Sequence, residues 1–217
     1  MSAPLRLADH ATRDDLRIFL ERLERAGRAE VRMVTRGSTL AVFGCTQAPA
    51  GLLDPLPVVL AARAFALAEA PGDAVDATVA SRALLDRIAR MGVLGRDLDV
   101  PDATLAAAWA GVLPPTSGWE AAGSIDAASL AAVAAEGMQR VAAALPDQPG
   151  EAVVQKVRAQ VWGAPIADGV PAAAAFAADA LGFLRDERVL RISRSRSWTR
   201  LSGSRGDVLV RGGLGRR

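Results

Sequence analysis

Within RISRSRSWTRLSGSRGDVLVRGG, residues 191–213, six arginines surround one tryptophan, and a single acid, Asp207, interrupts them. Guanidinium groups at this density can capture anions without covalent chemistry. Each arginine that neutralises a phosphate adds salt-dependent affinity, and an aromatic ring among arginines can stack on a base or accept a cation. The candidate anion- or partner-binding residues are therefore Arg191, Arg194, Arg196, Trp198, Arg200, Arg205 and Arg211. Side chains on a strand alternate between its two faces. Counted straight through, even positions give Leu190, Ile192, Arg194, Arg196, Trp198 and Arg200; odd positions give Val189, Arg191, Ser193, Ser195, Ser197, Thr199 and Leu201. A turn at Ser195–Arg196 places Arg194 and Arg196 at a loop tip, with Trp198 beside them and Arg200 next on its face. The competing structural reading is an ordinary hairpin. In it Trp198 and Leu201 pack inward, and the arginines are solvated, pair with acids of the same chain, or guard a sheet edge. Nucleic-acid binding expects Trp198 partly exposed on a contiguous positive surface; the structural reading expects it buried and several arginines salt-bridged.

Charge is unevenly distributed. From Arg185 to Arg217 ten arginines stand against Asp186, Glu187 and Asp207, a net of +7, while the first 184 residues carry a net of −5. A basic segment on an acidic body points to an acidic partner, nucleic acid or protein, or to an internal match between the two parts. Lys156 is the sole lysine, and Asn and Tyr are absent. This GC-rich coding bias lowers the weight of any one arginine.

Other chemistries find little support. With one histidine, His10, and one cysteine, Cys45, the usual four-ligand zinc cluster and an intramolecular disulfide are both excluded. A nucleophilic triad needs a base, and a lone His10 near the first helix reads as a solvated or packing residue. Asp97, Asp99 and Asp102 read as capping acids in a loop without EF-hand spacing. There is no GxSxG elbow and no Walker A, and GSRGD and RGGLG do not sit between a strand and a helix. The RGD at 205–207 reads as turn residues. No cofactor is expected. An enzyme with a carboxylate-based site remains the alternative, and a homo-oligomer docking its arginine face on a neighbour's acidic body is a third reading.

The elements that must position these residues follow from periodicity. Leu16, Phe19, Leu20 and Leu23 form one stripe of a helix over Thr12–Ala26, with Thr12 and Asp15 as a capping box and Gly27 as its C-cap. Alternation around Gly37 marks a hairpin. Val58–Glu69 is ambiguous and leans to strand. Helices are expected over Asp76–Met91, Asp126–Leu145, Glu151–Trp162 and Pro171–Leu184, and strands over 188–193, 197–202 and 207–211. The last two helices and the basic hairpin have the order of a winged helix-turn-helix. The second helix, PAAAAFAADALGFL, offers no base-reading side chain before Arg185, and its Asp179 opposes phosphate. The hairpin is retained only as a phosphate-contacting wing.

The expected fold class is α+β, predominantly helical, with two small antiparallel hairpin or meander units near the N- and C-termini. The expected organisation is an N-terminal helix, meander and helices over 1–115, a helical region ending in a basic meander over 116–211, and a flexible tail over 212–217; a single domain is the alternative. No signal peptide is evident, and the best apolar run, Leu56–Ala68, is too short to span a bilayer. The expectation is a soluble, cytoplasmic, non-enzymatic binding or scaffold protein.

Overall fold

The computed structural model describes residues 3–49, 51, 54, 56–146, 148 and 150–212. Of the expected tail, 213–217 lies outside the described residues, as do parts of the loop at 47–57 and of the linker at 145–151. The chain divides into two compact units. Unit 1 comprises Met1–Cys45 and Ala62–Leu113, and unit 2 comprises Thr46–Ala61 and Pro114–Arg217.

Unit 1 begins with β1 (Leu5–Arg6) and α1 (His10–Ala26), followed by β2 (Glu30–Arg36), β3 (Thr39–Gln47) and β4 (Val58–Ala66). Then come β5 (Asp76–Ala80), α2 (Ser81–Arg90) and β6 (Asp97–Leu98). Leu16, Phe19, Leu20 and Leu23 of α1 are buried, as their spacing requires. The helix starts earlier than the Thr12 cap expected, because the Asp9 carboxylate accepts the Thr12 N–H at 2.7 Å. That bond holds the Asp9 carboxyl below its ordinary value. Gly27 has φ −135°, which any residue adopts, so its glycine is a matter of space. A Cβ there would lie 2.6 Å from the Cys45 carbonyl oxygen. The β2–β3 hairpin turns at Gly37, φ +53°, and buries Val31, Met33 and Thr35 opposite Gly44, Val42 and Leu40. The strand order is β5-β2-β3-β4.

Unit 2 contains β7 (Glu120–Asp126), α3 (Ala127–Ala144), α4 (Glu151–Trp162), β8 (Pro165–Ala167), β9 (Val170–Pro171) and α5 (Ala172–Ala180). It closes with β10 (Val189–Ser195), β11 (Trp198–Gly203) and β12 (Gly206–Arg211). Here the order is β4-β12-β11-β10-β7, with Val58–Ala61 as the part of β4 in this unit. Asp126 caps α3 through the Ser129 N–H at 2.8 Å. Alanines 172–175, 177 and 178 of α5 are buried, and small side chains let this helix lie close to α3 and β12.

The expectation of a predominantly helical chain with two small β units is corrected. Among the described residues helix covers 34% and strand 33%, with β5-β2-β3-β4 in unit 1 and β4-β12-β11-β10-β7 in unit 2 where two small hairpin units were expected. Two strands carry the difference. Asp76–Ala80 was expected as the start of a helix; of Glu120–Asp126 only Asp126 was assigned to an element, as the start of the helix that follows. Both are edge strands: Asp76–Ala80 is short, with Ala77 and Val79 alternating with Asp76 and Thr78 and only Val79 buried, and Glu120–Asp126 is exposed at every position but Ile125. Their conformation comes from antiparallel pairing with β2 and β10, which a single-strand pattern does not display.

Gly27→Ala should lower unfolding free energy by about 1–3 kcal/mol, since the obstructing atom is backbone. A urea midpoint shift at unchanged m-value checks this; wild-type stability would show that the Cys45 carbonyl can yield.

Candidate functional site

The register of β10, β11 and β12 fixes the disposition of the arginines. Ser195 lies opposite Trp198, Ser193 opposite Arg200 and Arg191 opposite Ser202; Arg200 then lies opposite Leu209 and Trp198 opposite Arg211. Directly opposed residues share a face. One face therefore carries Leu190, Ile192, Leu201, Val208 and Val210, all buried. The other carries Arg191, Arg200 and Arg211, one per strand, each diagonal to the next, together with Asp207 and the buried Trp198 and Leu209. Side chains so related are neighbours about 7–8 Å apart. They form an oblique cationic stripe.

This grouping differs from a straight count through the hairpin, which joins Arg194 to Trp198 and Arg200. A two-residue connection reverses the phase. Arg194 lies opposite Thr199, on the face of Ile192 and Leu201. Arg196 occupies the connection itself with φ +53°, a left-handed conformation that favours glycine.

Each guanidinium is held differently. Arg194 Nη2 reaches the Asp168 carboxylate at 2.8 Å and donates to the Asp168 carbonyl at 2.9 Å. Arg205 Nη2 pairs with Asp186 at 2.7 Å. Arg200 lies over the Trp119 ring at 4.4 Å and donates to Ser193 Oγ at 3.3 Å. Arg211 lies over the Trp198 ring at 5.7 Å. Arg191 and Arg196 are exposed. Trp198 is 4% exposed, so its indole is not presented to a base; it backs Arg211 instead. A stacked guanidinium uses its face on the ring and keeps its in-plane N–H donors for an anion.

Beside the stripe lies a concavity of about 680 Å³, lined by Thr116, Ser117, Gly118, Glu120, Arg194 and Arg196 among others. Hydroxyls and two arginines favour an anion there, while Glu120 and Asp168 oppose one. Sequence reasoning missed Trp119, Thr116 and Ser117, which lie some 80 residues before the meander and adjoin it through β7. Glu187 was also missed. Hydrogen bonds from Ser204, with Arg191 and Arg205 behind them, hold the Glu187 carboxyl below its ordinary value.

Elsewhere, His10 is exposed at the start of α1 and Cys45 is buried. Asp97 reaches Arg6 across β1–β6 at 3.9 Å. Among the described residues no group of three or more His, Cys, Asp or Glu could hold a metal ion, and no helix is long and apolar enough to cross a membrane. In the RGD tripeptide, Arg205 is tied to Asp186 and Gly206 has φ +151°.

A family model described as Domain of unknown function (DUF8010) matches residues 1–111, and a second, Domain of unknown function (DUF8185), matches residues 114–215. No curated protein matches the chain. Among solved structures, the fold is similar to the DNA polymerase III subunit beta from Pseudomonas aeruginosa, at 14% identity and a TM-score of 0.52, covering 94% of this chain and 64% of that one. It is also similar to the Caulobacter crescentus beta sliding clamp, at 12% identity and a TM-score of 0.51, covering 100% of this chain and 66% of that one. The chain spans slightly less than two thirds of each. At these identities the likeness is one of fold, a sliding-clamp-like architecture.

The Glu187 geometry sets a pH dependence. The folded carboxyl titrates below the ordinary value of 4.5, so its contribution is present above pH 4.5 and is lost as pH falls through the lower folded value. NMR titration should place the midpoint of the Ser204 amide shift below 4.5, and Glu187→Gln should remove that step. A midpoint at or above 4.5 would contradict the contact.

Proposed function

The chain belongs to the family described as Domain of unknown function (DUF8010), and from that premise we propose a non-enzymatic scaffold whose arginine stripe holds an acidic macromolecule, double-stranded DNA first. The observation that carries this reading is the diagonal of Arg191, Arg200 and Arg211 across three paired strands. Two of the three are backed by neutral indoles rather than neutralised by carboxylates. The sliding-clamp-like architecture supports it, since the matched chains are named as a DNA polymerase subunit and sliding clamps. Arg194, Arg196 and Arg205 are auxiliary cations, two of them shared with Asp168 and Asp186. A cytoplasmic location fits such a scaffold.

Self-association is a second reading, favoured by β7. It ends the strand order of unit 2, and Glu120–Ser124 are all exposed. An unpaired edge of this kind is a template for another strand. Sedimentation equilibrium at micromolar concentration should show a mass above one chain; a monomer throughout would retire this second reading.

For the stripe, short duplex DNA should bind with a log K against log salt slope of about −2.7 between about 50 and 200 mM salt, from three phosphate contacts. Arg191→Ala/Arg200→Ala/Arg211→Ala should remove most of that slope and weaken binding about tenfold or more at the lower salt. An unchanged slope in the triple variant would overturn the stripe, and binding to an acidic protein but not to DNA would change the partner.

A further inference from the structure

In unit 1 the strand order ends at β5, and the groups that β5 leaves free follow from its register. The Thr35 N–H donates to the Val75 carbonyl and the Ser81 N–H to the Ala29 carbonyl, each at 2.8 Å. Antiparallel partners exchange bonds at every second residue, so Ala77 and Val79 spend theirs on Met33 and Val31. The N–H and C=O of Thr78 therefore point away from β2, along an edge that no strand pairs among the described residues. A length of chain lies there instead. Leu105 donates its N–H to the Thr78 carbonyl at 2.8 Å. The chain then forms a turn of 3-10 helix, Ala108–Gly111, which buries Trp109. Arg32 on β2, paired with Asp76 at 2.8 Å, also donates to the Ala110 carbonyl. The hold is light. Among the described residues a single backbone hydrogen bond joins 102–111 to β5. Asp102–Ala106 are exposed at every position. The Trp109 indole N–H is buried without a hydrogen-bond partner, which opposes docking of the ring.

We propose that residues 102–111 form a detachable strap that keeps the β5 edge from pairing with the β5 edge of a second copy of this chain. An unpaired edge is a template for another strand, and this one is complementary to itself. A twofold axis at Thr78, the central residue of β5, sets Thr78 against Thr78 and Asp76 against Ala80. Across antiparallel strands Thr–Thr pairs are favourable and directly opposed like charges are not. Here no two acids meet, and Asp76 is already matched by Arg32. Once Leu105 withdraws, the Thr78 N–H and C=O are free to exchange hydrogen bonds with their copies. Such a pairing is isologous, so it closes at two chains. It concerns a different edge from β7 and rests on neither that edge nor the arginine stripe.

The test places Thr78→Cys in three backgrounds: otherwise wild type, Leu105→Ala, and Leu105→Pro/Trp109→Ala. Leu105→Pro removes the strap's donor to the edge and Trp109→Ala its buried anchor, whereas Leu105→Ala keeps the donor. Leu105 is 42% exposed, so Leu105→Pro alone carries the test if the double variant loses the wild-type circular dichroism spectrum. Directly opposed antiparallel Cα atoms lie about 5.5 Å apart, within disulfide reach, so a pair at position 78 is caught covalently under mild oxidation. Hydrogen exchange over 102–111 should be roughly tenfold or more faster in the released background. The covalent dimer through position 78 should there be roughly tenfold more abundant than in the other two. Unchanged exchange would show that other contacts hold the strap. Fast exchange without the covalent dimer would show that the edge needs no cover, and an equal yield in all three backgrounds that it is already open. Each of these overturns the proposal. A dimer in sedimentation that is not joined through position 78 also overturns it, and leaves association through β7 standing.

Discussion

Leu190, Ile192, Leu201, Val208 and Val210 leave water together on one face of the β10–β11–β12 meander. Complete burial of side chains of this kind contributes about 1.5–3 kcal/mol each, and a register slip of one residue would return a strand's whole set to solvent. That penalty locks the register. With the register locked, Arg191, Arg200 and Arg211 share the opposite face, one on each strand and each diagonal to the next. The core thus determines where three polar positions fall. It does not require them to be arginine; serine or threonine would suit a strand face equally well. At two of them the guanidinium also lies over an indole ring, Arg200 on Trp119 and Arg211 on Trp198.

The arginines of unit 2 differ in how their charge is spent. Arg194 and Arg205 face carboxylates at 2.8 and 2.7 Å. Exposed pairs of this type contribute about 0–1 kcal/mol, so a phosphate can compete for them, though Asp168 and Asp186 then oppose it. Arg200 and Arg211 lie on indole rings. Stacking contributes about 0.5–1 kcal/mol at exposed sites and orders the side chain without cancelling its charge. Trp198, placed by the sequence pattern as a stacking platform, serves by this arrangement as a backing for Arg211. Of the two outcomes framed at the start, the structure shows the one expected of an ordinary hairpin, with Trp198 buried and Arg194 and Arg205 paired with carboxylates. A buried indole can organise an exposed cation.

What the sequence made legible was whatever repeats locally. The α1 stripe, the hairpin at Gly37 and the three closing strands follow from period and turn residues alone. Val58–Ala66 was ambiguous by composition and is a strand. Two kinds of information were lost. Edge strands Asp76–Ala80 and Glu120–Asp126 pair along only one side and bury little, so the first is left with a single short alternation, Ala77 and Val79, and the second with none. The second loss was phase. Counting even positions through the turn at Arg196 assumes an unbroken strand, while a two-residue connection exchanges the faces. Trp119 could not be found from the meander at all, since only the pairing of β7 with β10 brings it to Arg200.

Unit 1 shows the same separation between what folding demands and what it leaves unexplained. Gly92, at φ +65°, is by itself sufficient to end α2, because a left-handed glycine is the common helix stop. A surface connector beyond it needs only polar residues, whose backbone carbonyls water would satisfy. Here the carbonyls of Gly92, Val93 and Gly95 are instead gathered by Arg13, while Val93 and Leu94, the two most exposed large apolar side chains among the described residues, project outward. Ordering such a turn costs conformational entropy of about 1–2 kcal/mol per residue, and no buried apolar contact at the tip offsets it. Neither core packing nor helix capping accounts for that combination.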